Sequence, residues 1–329
     1  MILREFLYVD TDKVRAMLAQ LDGGIAEESR ETERKEKRTT VGPRVAGQFF
    51  QGAGSETYTN KSLGDAIFPM LEEALESEQL LRDISEQASD PQEWTSGELK
   101  KRLPLGSLVR VTTMGSLFDT RYAAAAFAAF GSVIAGLEGI GALPSAGAPP
   151  KPGKGKQSRQ QSNASRPRVP AGFQALEDAI PDFPDIGGAD GAALRSFVRI
   201  SKGVFAPGLH INLVPADGVL INSRLQEGRQ YLDSEADILF ARYGTEPQEW
   251  TIVGSIGSYG TEETRLPEMN FYNDDGSLNR AKFADCMNAQ MRNLGRLGFI
   301  DLPQHPGFSL IPLAVYRSIP RSGVLALND

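Results

Sequence analysis

Near the start of the chain, REFLYVDTDKVRAMLAQLDGG carries an apolar run through an Asp-rich cap into a short amphipathic helix that stops at a glycine pair. No other stretch constrains the fold as much. Leu7 and Val9 belong to a strand, and Asp10 or Asp12 supplies the helix cap. Val14, Met17, Leu18 and Leu21 fall at i, i+3, i+4 and i+7 on one face, and Gly23 and Gly24 end the helix. The order fixes a strand-to-helix unit with one buried face. It names no reaction.

The patterning that follows is α+β. Residues 27–38 (EESRETERKEKR) mix acids and bases too densely to be buried and read as a solvated arm. Residues 45–59 are glycine-interrupted and β-prone. A long helix is expected over 63–83, with Leu63, Ile67, Leu71 and Leu75 at four-residue steps and Glu72, Glu73, Glu76 and Glu78 on other faces. Pro69 either kinks this helix or opens its regular part. An exposed helix over 94–103 leads into the strand SLVRVTTM.

Residues 122–143 are mostly Ala and Gly with Glu138 as their one charge. Small residues contribute little transfer energy, so a buried core helix is expected there rather than a membrane span. Composition then shifts: residues 143–172 hold almost no large apolar side chain and read as a flexible, Pro/Gly-rich basic linker. Its Lys151, Lys154, Lys156, Arg159, Arg166 and Arg168 are the candidates for holding a polyanion.

Beyond the linker the chain is expected to be β-rich, with strands at SFVRISKGVF, LHINLV, EWTIVGSIGSY and SLIPLAVYRSI. Helices are expected at 234–243, ending at Gly244, and after the turn at 274–276, where Phe283, Met287, Met291 and Leu294 are spaced as a buried stripe. The likeness of SLVRV (107–111) to SFVRI (196–200) fits two halves that each contribute a β-core. The expected organisation is therefore an N-terminal α+β domain over 1–142, the linker, and a β-rich α+β domain over 173–329.

The 329 residues suffice for two domains, and a net charge of -7 argues against whole-surface attraction to nucleic acid or anionic lipid. The single cysteine, Cys286, excludes an internal disulfide. With no secretory leader visible, a reducing cytoplasm is the expected compartment.

Chemistry-bearing clusters are sparse. His210 and His305 are the only histidines, and neither has a ligand-type neighbour at metal spacing. GSIGSYG (254–260) lacks the Lys-Ser or Lys-Thr of a phosphate loop, and NDDGS (273–277) lacks the alternating ligands of a calcium loop. Asp182, Asp185, Asp274 and Asp275 are the candidate carboxylates for a metal-dependent hydrolase or nuclease, the alternative to a non-enzymatic recognition or assembly module. No cofactor and no resident metal centre are expected. The expected partner is a macromolecule, protein before nucleic acid, without membrane attachment; a homo-oligomer is compatible with the pattern.

Phe6 to Gly23, read as FLYVDTDKVRAMLAQLDG, resembles the opening signature of a bacterial family, domain of unknown function sixty-four fourteen. The resemblance continues through the charged arm, the Leu/Glu helix, the WTIVGSI strand and the PLAVYRSI end, with Pro69 and the basic linker as local departures. It implies membership and no catalytic or ligand residue. By analogy with other such families it suggests a setting in phage defence or mobile elements.

Overall fold

A computed structural model describes residues 3–21, 56–141, 177–183, 190–262 and 271–319. The charged arm at 27–38, the linker at 143–172 with its six candidate basic residues, and Asp185 lie outside the described residues. The described chain is α+β, with seven strands, β1 (Leu3–Val9), β2 (Leu81–Asp83), β3 (Leu108–Phe118), β4 (His210–Leu213), β5 (Ile221–Arg224), β6 (Gln248–Tyr259) and β7 (Phe308–Ile319). The helices are α1 (Thr11–Leu21), α2 (Glu56–Ser77), α3 (Ser85–Ser89), α4 (Pro91–Thr95), α5 (Glu98–Arg102), α6 (Thr120–Gly139), α7 (Gly191–Val204), α8 (Ala236–Tyr243) and α9 (Arg280–Arg296).

β3, β4, β5, β7 and β6 pair in that order and close a five-stranded barrel. β6 closes it, lying antiparallel between β3 and β7. Opposed residues share a face, so the pairs Val111 with Ile252, Ile252 with Val315, Leu117 with Ile211 and Leu213 with Ile221 fill the interior. All are buried. β1 adds to β7 antiparallel and β2 to β3 parallel.

The opening unit folds as its sequence dictates. Asp10 is the α1 cap, its Oδ1 accepting the Lys13 N–H at 3.0 Å while Lys13 Nζ sits 2.6 Å from Oδ2. Val14 is fully buried, and Met17, Leu18 and Leu21 pack beside it against the outer face of the barrel. α2 covers the same face through Phe68, Leu71 and Leu75, which meet Val253, Leu313, Ala314 and Tyr316.

The strands of the two expected halves interleave in one sheet, because β3 finds its partners in β4 and β6, beyond the linker. The compact units are instead 1–118 with 208–329, and 119–207. Other local expectations are corrected too. α2 starts at Glu56, taking the end of the β-prone 45–59 stretch, runs through Pro69 and stops at Ser77, and Leu81–Asp83 is strand. The expected exposed helix at 94–103 is two short helices anchored by buried Trp94 and Leu99.

SFVRI is helical, not a strand, and so has no structural kinship with SLVRV in β3. Asp190 caps that helix by accepting the Ala193 N–H at 2.7 Å, and Leu194 and Val198 bury one helical face, which outweighs the local β propensity. The remaining expected strands and the helices at 234–243 and after 276 are present.

A buried ion cluster holds α2 on the barrel. Glu72 is 3% exposed and pairs with Arg4 of β1 and with Arg110 of β3, whose Nη2 lies 2.6 Å from Oε1. The Tyr316 hydroxyl donates to the same oxygen at 3.2 Å, and Arg110 also pairs with Glu76. The sequence already held the signal: Phe68, Leu71, Glu72 and Leu75 at i, i+3, i+4 and i+7 put one acid in an apolar row. Replacing Glu72 by Gln leaves two guanidiniums facing an uncharged group. Arg4 and Arg110 keep 25% and 18% of their side chains in water, so the expected cost is about 2–3 kcal/mol, below the ~3–5 kcal/mol of a fully buried pair. Urea unfolding checks this; a loss under about 1 kcal/mol contradicts it.

Candidate functional site

The two histidines are held separately within the fold. His210 is buried in β4, its Nε2 3.9 Å from Asp301 Oδ2, and His305 Nε2 lies 3.9 Å from Glu262 Oε2. Both distances exceed a hydrogen bond. Buried Ser223 stands opposite Ile211 and faces the barrel interior, whereas His210 stands opposite Arg224 on the other face, which Ser116 of β3 shares.

The candidate carboxylates have local work. Asp182 pairs with Arg195 of α7. Asp275 Oδ1 accepts the Ser277 hydroxyl at 2.6 Å and the Ser277 N–H at 2.9 Å, and those bonds hold its carboxyl below the ordinary 3.8. Asp274 is exposed in the same turn, in the unit that contains the barrel, while Asp182 belongs to the unit 119–207. Among the described residues no group of three or more His, Cys, Asp or Glu could hold a metal ion. GSIGSYG forms the far part of β6 and the turn after it; a Cβ on Gly254 would lie 2.5 Å from the Ile311 carbonyl, so glycine there serves close strand approach at a bulge.

Perturbed acidity follows packing. Burial pushes the Tyr259 hydroxyl up to about 12. Burial together with the charge of Glu5 does the same for Tyr243, and burial with the charge of Glu72 for Tyr316. Tyr8 rises further, through burial and then Asp10. A groove of about 400 Å³ between β1 and α2 is lined by Arg4 and Glu72, which form an ion pair with each other. The perturbed tyrosines are structural.

On α9 bulky apolar side chains meet solvent, although Phe283 also packs edge-on against Phe271 with ring centroids 5.5 Å apart. A turn closed by the Asn273 N–H on the Ser277 carbonyl and a bridge between Tyr272 and Leu278 deliver the chain to the Asn279 cap, whose Oδ1 accepts the Lys282 N–H at 3.0 Å. Small side chains seat the helix: Cys286, Ala289 and Gly295 are buried. Phe283, Met287, Met291 and Leu294, expected as a buried stripe, are 43%, 49%, 42% and 41% exposed. Spacing showed that they share a face; it could not show that the slimmer face would be the one buried. Arg280, Lys282, Arg292 and Arg296 against the one acid Asp285 give this exposed helix four positive charges to one negative.

The tyrosine environments set an alkaline limit. Phenols whose folded pKa lies above the ordinary 10.0 stabilise the fold fully below pH 10.0, and that contribution is lost as pH rises towards about 12. Tyrosinate absorbance followed with circular dichroism should show a late-ionising group of tyrosines whose titration coincides with unfolding. All eight tyrosines ionising near pH 10.0 with structure retained would contradict the assignment.

Comparison with known proteins agrees with the fold-start signature. No curated protein and no solved structure matches the chain. A family model described as Domain of unknown function (DUF6414) matches residues 3–316, from β1 into β7, and the chain belongs to that family.

Proposed function

We propose that the chain is a non-enzymatic recognition or assembly module whose contact surface is the exposed row of α9. The row of Phe283, Met287, Met291 and Leu294 carries this reading, since a helix in a partner's groove is anchored by apolar side chains at such steps. Two methionines suit a contact that adapts its shape.

Magnitudes define the partner. Burying the exposed remainder of four such side chains yields about 3–6 kcal/mol gross. Association alone costs about 4–15 kcal/mol, so the apolar row needs help. The basic residues of α9 supply it against an acidic rim. The partner is therefore a protein presenting an apolar groove edged by carboxylates. A phosphate backbone would leave the apolar row without a complement. The setting we infer is the bacterial cytoplasm, in phage defence or mobile-element control, by analogy with other families of unknown function. No comparable observation favours the hydrolase alternative: of its three described candidates Asp182 is engaged with Arg195 and Asp275 with Ser277, and Asp274 is exposed in the turn.

Native mass spectrometry of protein purified gently from its host at low salt tests the proposal, comparing wild type with the double variant Met287→Asp/Met291→Asp. The expected result is a stoichiometric protein adduct on wild type that weakens with salt and is absent from the variant, while circular dichroism of the two is identical. Equal adducts on both, no protein adduct, or a nucleic-acid adduct instead would overturn it.

A further inference from the structure

The α9 row has a chemical property at its centre that its two ends lack. Phe283 and Leu294 carry no atom that mild oxidants attack, whereas the anchors between them, Met287 and Met291, are thioethers. They stand four residues apart, so they are neighbours on one helical face, and they are 49% and 42% exposed. The one thiol of the chain is out of reach. Cys286, next to Met287 in sequence, is 4% exposed. An oxidant arriving at α9 therefore meets sulfur only as methionine.

We propose that Met287 and Met291 are a reversible oxidation site that disarms the α9 row, an inference that rests on the reading of that row as a contact surface. A sulfur lone pair attacks the O–O bond of a peroxide. An S–O bond forms, the sulfide gives up two electrons to become the sulfoxide, and the peroxide is reduced to water or an alcohol. A flexible apolar side chain is thereby replaced by a polar one. Its position makes the change count. Phe283 and Leu294 are eleven positions apart in sequence, about 16 Å along the helix axis, so two sulfoxides between them turn one continuous row into two separate side chains. The centre of a contact carries most of its affinity, and there a partner's apolar groove would meet sulfoxide oxygens without donors.

Binding and oxidation compete. A partner seated on the row shields both sulfurs, so peroxide acts on free copies and holds them free until a sulfoxide reductase, drawing two electrons from a thiol, restores the sulfide. Met70 in α2 and Met114 in β3 are 62% and 49% exposed and oxidise as readily, but neither belongs to this row. Specificity comes from where the product lies and not from which methionine reacts first.

Titration of the full chain with anilinonaphthalene sulfonate, a dye with an apolar body and one negative charge, reads the row without its partner. After brief peroxide treatment wild type is expected to lose dye affinity about twofold or more with circular dichroism unchanged. Methionine sulfoxide reductases with dithiothreitol should restore it. Met287→Leu/Met291→Leu keeps the row apolar and should not respond to peroxide, whereas Met70→Leu/Met114→Leu should respond as wild type does. Equal losses in wild type and in the Met287 and Met291 variant, or no loss in a wild type whose two sulfoxides mass spectrometry has verified, would overturn the proposal. The protein adduct separates this from the reading beneath it. An adduct that persists undiminished on the oxidised chain overturns the oxidation switch alone. Absence of any adduct from the untreated chain, with the dye response as expected, overturns the contact surface and leaves the sulfur chemistry of the row standing.

Discussion

Closure of the barrel by β6 is the constraint on which the rest depends. β6 satisfies the edges of β3 and β7 together, and an open sheet would leave both rows of peptide groups unpaired. The close approach requires glycine at Gly254, under the Ile311 carbonyl, and bulges on either side of it bend the strand. With the barrel closed, its outer face near β7 becomes a fixed platform. β1, α1 and α2 assemble there, and the Arg4–Glu72–Arg110 cluster ties the first strand, the long helix and β3 at one point. Partners so distant in sequence make the topology non-local, with closure of the chain's two ends as the costly step.

That non-locality explains what could be read from the residues alone. The Asp10 cap and the α1 row are decided within a dozen positions, and they were legible. So were β3, β6 and β7, whose runs of branched and aromatic residues between turns admit no other local state. The division into units was not legible, because a Pro/Gly-rich stretch signals a break in packing and says nothing of which strands pair across it. SFVRI misled for the same reason: its branched residues favour a strand, yet the Asp190 cap and the burial of Leu194 and Val198 make it helix.

The surface was legible only in part. Helical spacing found the row on α9, and Ala/Gly composition marked the helix at 122–143, but both readings assigned these side chains to the core. Periodicity reports that residues share a face and leaves open which face is covered. On α9 the slender side of Cys286 and Ala289 is buried and the bulky side meets solvent. Glu72 is the converse case, an acid within an apolar row that charge-based reading places in water and the two arginines hold inside. The family model runs over residues 3–316, from β1 through α9 into β7.

The central claim is that the α9 row is open in the free chain and covered in its complex. Peptide-resolved methionine oxidation reads this directly, because Met70 and Met114, 62% and 49% exposed and remote from α9 in sequence, serve as internal references. In the isolated chain Met287 and Met291 should oxidise at rates comparable to those references, and in the gently isolated complex they alone should be protected. Slow oxidation of Met287 and Met291 in the free chain, or equal protection of all four in the complex, would contradict the account.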